Sequence, residues 1–209
     1  MNKVMSVLIF VGVVLAQAPL ALSADADCPH CQLIASEAPW PEESVVGGRT
    51  LTFGMFQITI PDGWVRLSVL PEQTAVARYE NGYRVALALE TYDQVPLDGG
   101  RQSFEAAGYR MIDYPHLIFL GDPSTGESAV TEAARLEKRL RYEGMSNARV
   151  FKKDGFTAYV AEIRLGDHTV DASIVFEEQP DFVLRMLGSK MPASTVEAII
   201  GSVQIREDN

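Results

Sequence analysis

Apolar residues alternate with polar ones over two long stretches, near residues 51–92 and 150–187, and a period of two is the spacing of a strand that buries one face. Leu51, Phe53 and Met55 keep that period, as do Phe56, Ile58 and Ile60, but the phase slips by one at Gly54-Met55. A bulge or sharp turn is required there, giving a strand pair or one bent strand. Pro61-Asp62-Gly63-Trp64 reads as a turn in which proline presets φ, glycine accepts a positive φ and tryptophan caps the core. Thr74–Tyr79 and Tyr83–Tyr92 flank Asn81-Gly82, a dipeptide suited to two-residue hairpin loops, and are predicted to pair. On the second strand Tyr83, Val85, Leu87 and Leu89 share an apolar face, while Arg84, Ala86, Ala88 and Glu90 share the other.

The later stretch repeats the pattern in Val150–Lys153, Phe156–Leu165, Thr169–Phe176 and Phe182–Leu187, separated by turn residues such as Asp154-Gly155 and Gly166-Asp167. An antiparallel meander follows, with Val170, Ala172, Ile174 and Phe176 expected over Phe182, Leu184 and Met186. Two helices are signalled. Ser124 and Glu127 have capping-box spacing, after which Ala129, Ala133, Leu136 and Leu140 make one apolar stripe that Gly144 closes. The opposite face carries Arg135, Lys138, Arg139 and Arg141 beside Glu132 and Glu137, with Glu137 and Arg141 spaced to pair. It reads as a solvated face, with an anion or acidic partner as the alternative. A second box, Ser194 to Glu197, opens a short helix that ends at Gly201. Strands grouped with helices, rather than strictly alternating with them, predict an α+β sandwich: an antiparallel sheet flanked by helices.

Composition changes this picture mainly by exclusion. Among 209 residues, 28 are acidic and 18 basic, a net charge of −10, the wrong sign for a surface that tracks phosphates, so nucleic acid is not an expected partner. Met1-Asn2-Lys3, the apolar run Val4 to Ala16 and the small residues Ala21-Leu22-Ser23-Ala24 have the order of an export signal, cut after Ser23 or Ala24. The expected location is a bacterial periplasm, with no stable membrane insertion after processing. The domain division that follows is 1–24 as signal peptide, 25–48 as a cysteine-containing tail and Pro-rich linker, and 49–206 as a single α+β domain. Ala38-Pro39-Trp40-Pro41 and Gly47-Gly48 mark that linker.

In an oxidising compartment Cys28 and Cys31 are expected to close as a small disulfide ring on a mobile tail. The motif Cys28-Pro29-His30-Cys31 resembles the active dithiol of DsbA-type oxidoreductases, but too few mature residues precede it for a strand to position the thiols. A thiol-redox or metal-handling role for Cys28 and Cys31 stands as the alternative to the plain disulfide; a metal would lack a fourth ligand beside His30.

Phe56-x-Ile58-x-Ile60-Pro61-Asp62-Gly63-Trp64, a long helix before a meander, and the closing Ile199-Ile200-Gly201-Ser202-Val203 together resemble the PsbP-like and DcrB-like domains, from about Phe56 to Ile205. The resemblance implies a sheet between helices and a binding module rather than an enzyme. Beside it the residues offer little chemistry. His30, His116 and His168 lack zinc-helix spacing, Gly121–Gly126 lacks a nucleophile elbow, and no phosphate loop occurs. No catalytic residue, metal ligand or cofactor is expected. Between Asp93 and Pro123 the punctuation by Pro96, Gly99-Gly100, Gly108, Pro115 and Gly121 leaves two readings. Leu117–Leu120 is one more buried strand, or Tyr114, His116, Leu117, Ile118 and Phe119 form part of a protein-recognition surface. The whole predicts a non-catalytic periplasmic protein that recognises another protein, such as an envelope adaptor or a toxin-immunity protein.

Overall fold

Local sequence rules set the first hairpins. In the computed structural model, which describes residues 28–42, 47–70, 74–121, 127–164 and 166–206, β2 (Gly48–Phe53) and β3 (Phe56–Pro61) pair antiparallel around Gly54, whose φ is 55°. The phase slip in the sequence is therefore a tight turn. β4 (Trp64–Leu70), β5 (Thr74–Tyr79) and β6 (Arg84–Glu90) follow as a meander, with Gly82 at φ 83° in the second turn. The later meander is β7 (Met145–Lys153), β8 (Phe156–Ile163), β9 (Thr169–Phe176) and β10 (Val183–Ser189). Leu184 faces Ile174 and Met186 faces Ala172, as the alternation predicts.

β6 pairs with β10, which joins the two meanders, and with β1 (Ser36–Pro39) at one edge they make an eight-stranded sheet ordered β1-β7-β8-β9-β10-β6-β5-β4. β1 is the one parallel neighbour, set against Arg149–Lys152 of β7. A smaller sheet, β11-β3-β2, includes β11 (Gln204–Ile205). One face of the large sheet buries Val85, Leu87, Val160, Ile174, Leu184 and Met186 against this small sheet and helix α4 (Ala193–Gly201). The packing there is close: a Cβ on Gly188 would lie 2.5 Å from Val196 Cγ2. The opposite face meets α1 (Arg101–Ala107), α2 (Asp113–Leu120) and α3 (Ala129–Arg141). This is an α+β sandwich.

Four expectations change. First, part of the stretch read as linker is an edge strand, held by Ala35 N donating to Phe119 O at 3.1 Å and Lys138 Nζ to Leu33 O at 2.8 Å. Trp40 packs on Phe156, and a Cβ on Gly201 would meet Pro41 O at 2.7 Å, so residues 40–42 also lie against the domain. Second, Leu117–Leu120 is helical rather than a strand, since the chain needs a turn of helix to bury Tyr114, Leu117 and Ile118 together. Third, α3 is capped by Ser128, whose Oγ accepts from Thr131 N at 3.2 Å; Ser124 lies outside the described residues. Its expected stripe is rotated: Val130, Ala133, Ala134 and Lys138 are buried, while Leu136 and Leu140 are 46% and 69% exposed. Fourth, Ser194 lies inside α4 and Pro192 takes the cap position. The expected leader, residues 1–24, is outside the described residues.

Candidate functional site

The residues singled out by the sequence lie in two places. Cys28 and Cys31 are joined as a disulfide across a short 3-10 turn, Pro29–Gln32, with Cys28 buried. The turn rests beside α3 through the Lys138 and Leu33 contact, so the ring is docked on the domain. Tyr114, Leu117, Ile118 and Phe119 are core residues on α2. The Phe119 ring lies 5.3 Å from Tyr142 and 5.7 Å from Tyr159. His116 is half-buried, its Nδ1 3.4 Å from Tyr159 Oη. The fold thus gathers these residues between α2 and the sheet and does not display them as a surface.

Below α3 lies a charged cluster that the alternation of β9 and β10 placed inward but did not reveal. Arg185 donates to both Asp171 oxygens at 2.9 Å and to Tyr142 Oη at 2.6 Å. Its Nη1 is 3.3 Å from Glu137 and 3.5 Å from Glu90, and Arg141 bridges Asp171 and Glu137 at 3.3 and 3.4 Å. Burial works against the Arg185 charge, yet Asp171 and its neighbours hold its pKa well above the ordinary value. Burial raises Glu90 and pushes Tyr142 up strongly. Every charge here faces an opposite one at short range, as a buried ionic group must. Glu137 turns inward here, in keeping with the rotated α3 stripe, while Arg141 reaches the cluster from an exposed position. The cluster orders helix on sheet, and its carboxylates are already engaged.

Among the described residues the same sheet face is uncovered farther along. None of the apolar residues buried under α1–α3 belongs to β4, β5 or β6, and of these strands only the end of β6, at Glu90, reaches the charged cluster. Ser68, Val76, Ala86 and Ala88 are only half-buried there. The register sets Arg66 opposite Arg78 and Arg78 opposite Arg84, so three exposed arginines form a row across three strands. Strand spacing makes that row roughly 10 Å long. Among the described residues Arg66 Nε contacts Ser68 Oγ at 3.3 Å, and no carboxylate pairs with any of the three. The row ends at β4, the sheet's open edge, where Val65, Val69 and Leu70 are 59%, 66% and 51% exposed. Behind this edge a groove of about 430 Å³ runs between β4 and β2, lined by Arg49, Leu51, Phe53, Trp64, Leu67 and Val69. Arg49 lies 5.9 Å from the Trp64 ring, within cation–π range.

A second hollow, about 900 Å³, lies along α3 and includes Leu97, Asp98, Leu117, Glu132, Leu136 and Arg139. Its mixed charges select no ligand chemistry. Among the described residues no group of three or more metal-ligating side chains occurs, and no helix is long and apolar enough to cross a membrane.

No protein-family model matches the chain, and no curated protein sequence does. Among solved structures it is similar to cyanobacterial PsbP (CyanoP) from Synechocystis sp. PCC 6803, at 12% identity and a TM-score of 0.41, covering 77% of this chain and 92% of that one. It is also similar to the Ran-binding protein Mog1p of Saccharomyces cerevisiae, at 9% identity and a TM-score of 0.37, covering 77% and 96%.

Proposed function

We propose that this is a non-catalytic accessory protein of the bacterial periplasm that works by binding another protein. One observation carries the reading: the buried charges of Arg185, Asp171 and Glu137 are consumed in holding α3 to the sheet, while among the described residues an edge strand and a row of arginines stand unpaired beside it. Exposed apolar edges are normally blunted in proteins that do not use them. The order of charged, apolar and small residues over 1–24 supports export, as does the Cys28–Cys31 disulfide. An envelope adaptor and a toxin-immunity protein are the two finer forms of this function.

The test is direct. The full-length chain is expressed with its own N-terminus, and the mature species is fractionated and weighed. It is then immobilised and exposed to envelope and culture extracts. The expected result is a periplasmic product cut near residue 24 and one protein retained by the folded chain but not by the heat-unfolded chain. Turnover of a model ester or peptide by the purified protein, or retention of nothing, overturns the proposal. Replacing both Cys28 and Cys31 with serine is expected to leave retention intact; its loss would favour tail chemistry.

A further inference from the structure

Resting on the protein-binding reading above, we infer that β4 is a docking edge for an extended segment of a partner protein, one that alternates acidic and apolar residues and adds a ninth strand to the sheet. Three independent features of the edge agree on that chemistry. The first is the backbone. β4 runs seven residues without proline and pairs only with β5 among the described residues. The sheet's other edge is managed differently: β1 is four residues long, ends at Pro39 and carries a Glu37–Lys152 pair at 2.8 Å. An unpaired strand edge offers a row of donors and acceptors that another extended chain satisfies.

The second feature is charge. Cross-strand neighbours point to one face, so a residue opposite Arg66 on an added strand continues the row Arg66, Arg78, Arg84. Like charges directly opposite one another destabilise a sheet, and a carboxylate at the end of this row relieves that repulsion. The third feature is the groove. The alternate side chains of the added strand point to the other face, where Leu67, Val69, Trp64 and the β2 residues Leu51 and Phe53 line a groove of about 430 Å³. Apolar side chains fit there, with Arg49 at the rim.

Charge also selects among occupants. A second copy paired through β4 brings two arginine rows together. The net charge of −10 repels a long polyanion or an anionic bilayer as a whole. A short acidic peptide segment meets the local row without facing the rest of the surface.

The probe is a fluorescent octapeptide alternating glutamate and valine, titrated into the mature protein and followed by anisotropy. Saturable binding that weakens with added salt is expected. A lysine–valine counterpart, and the same glutamate–valine peptide N-methylated at every second residue, are expected not to bind. Arg78→Glu with Arg84→Glu is expected to weaken binding at least tenfold with an unchanged thermal midpoint, since both side chains are exposed. Failure of the octapeptide to bind, equal binding by the N-methylated peptide, or indifference to the two substitutions overturns the inference.

A second arm separates this site from the broader reading. A benzophenone amino acid is placed at Val69, or at Leu136 on α3, and the cells are irradiated. A partner captured through Val69 and lost with Arg78→Glu and Arg84→Glu supports the strand site. Capture through Leu136 alone overturns it and leaves protein binding standing. No adduct at either position removes both.

Discussion

Two halves of one sheet face treat arginine in opposite ways. Over β9 and β10 the face is roofed by helices, and Arg185 is clasped by Asp171, Glu137 and Tyr142. Over β4, β5 and the start of β6 none of the described helices forms a roof, and Arg66, Arg78 and Arg84 stand in an exposed line. The contrast teaches that the same side chain is architecture where water is excluded and recognition surface where it is not. Under cover, an unpaired charge is too costly to keep, so each one acquires a partner within the fold. In the open, water screens the charge and a partner can come from outside.

Removing the buried member should produce the largest effect. Arg185→Ala removes the central cation of the buried cluster and leaves Asp171 and Glu137 with only the half-exposed Arg141 as ion-pair partner among the described residues, with an expected loss of about 3–5 kcal/mol in urea unfolding. A loss below 1 kcal/mol would show that this half is not held by its ion cluster. Phe119→Ala, which removes a ring touching Tyr142 and Tyr159, should cost about 3–5 kcal/mol as well. A nearly unchanged midpoint would instead return Phe119 to the surface. Opening the Cys28–Cys31 ring by serine substitution should cost less, at most about 2 kcal/mol for so short a loop.

Glu90 sharpens the comparison through pH. Burial raises its folded-state pKa above the ordinary glutamate range, so the folded state holds this proton more tightly than the unfolded chain. Its contribution to stability is greatest in acid and falls as the pH rises from the ordinary range through the raised value. Glu90→Gln should therefore be more stable than the parent at neutral pH and lose that advantage on acidification, as parallel thermal melts would show. The smallest effect belongs to the open half: Arg78→Ala should change stability by no more than about 0.5 kcal/mol. A large loss there would mean the row has a structural role after all.

Most of the strand half of this fold was legible because its rules are local, whereas β4 was not: only a turn was read at Trp64, and Trp64–Leu70 forms a full strand. Asn81-Gly82 sets a hairpin through glycine's φ, and Val170, Ala172 and Ile174 declare their face by spacing alone. β1 was hidden because four residues ending in proline carry no alternation, and only β7, more than a hundred residues away, makes them a strand. α1 and α2 were masked by Gly99-Gly100 and Pro115, which read as loop but here sit at or near the helix starts. The α3 face was misread because its buried side includes charges, and only the tertiary fold reveals Arg185 and Asp171 beneath them. The arginine row was invisible for a similar reason: Arg66, Arg78 and Arg84 become neighbours through register, which no single strand states.

The placement of β6 beside β10 sets when this chain can finish folding. Glu90 meets Val183 across that seam, β1 waits for Arg149, and β3 waits for Ile205. A nascent chain emerging from its N-terminus carries separate hairpins until nearly the whole polypeptide is present, and the late joining of such distant segments makes for slow assembly. In the interval, β6 and β1 are also unzipped edges, so a holding factor would have more to grip on the unfinished chain than on the finished one.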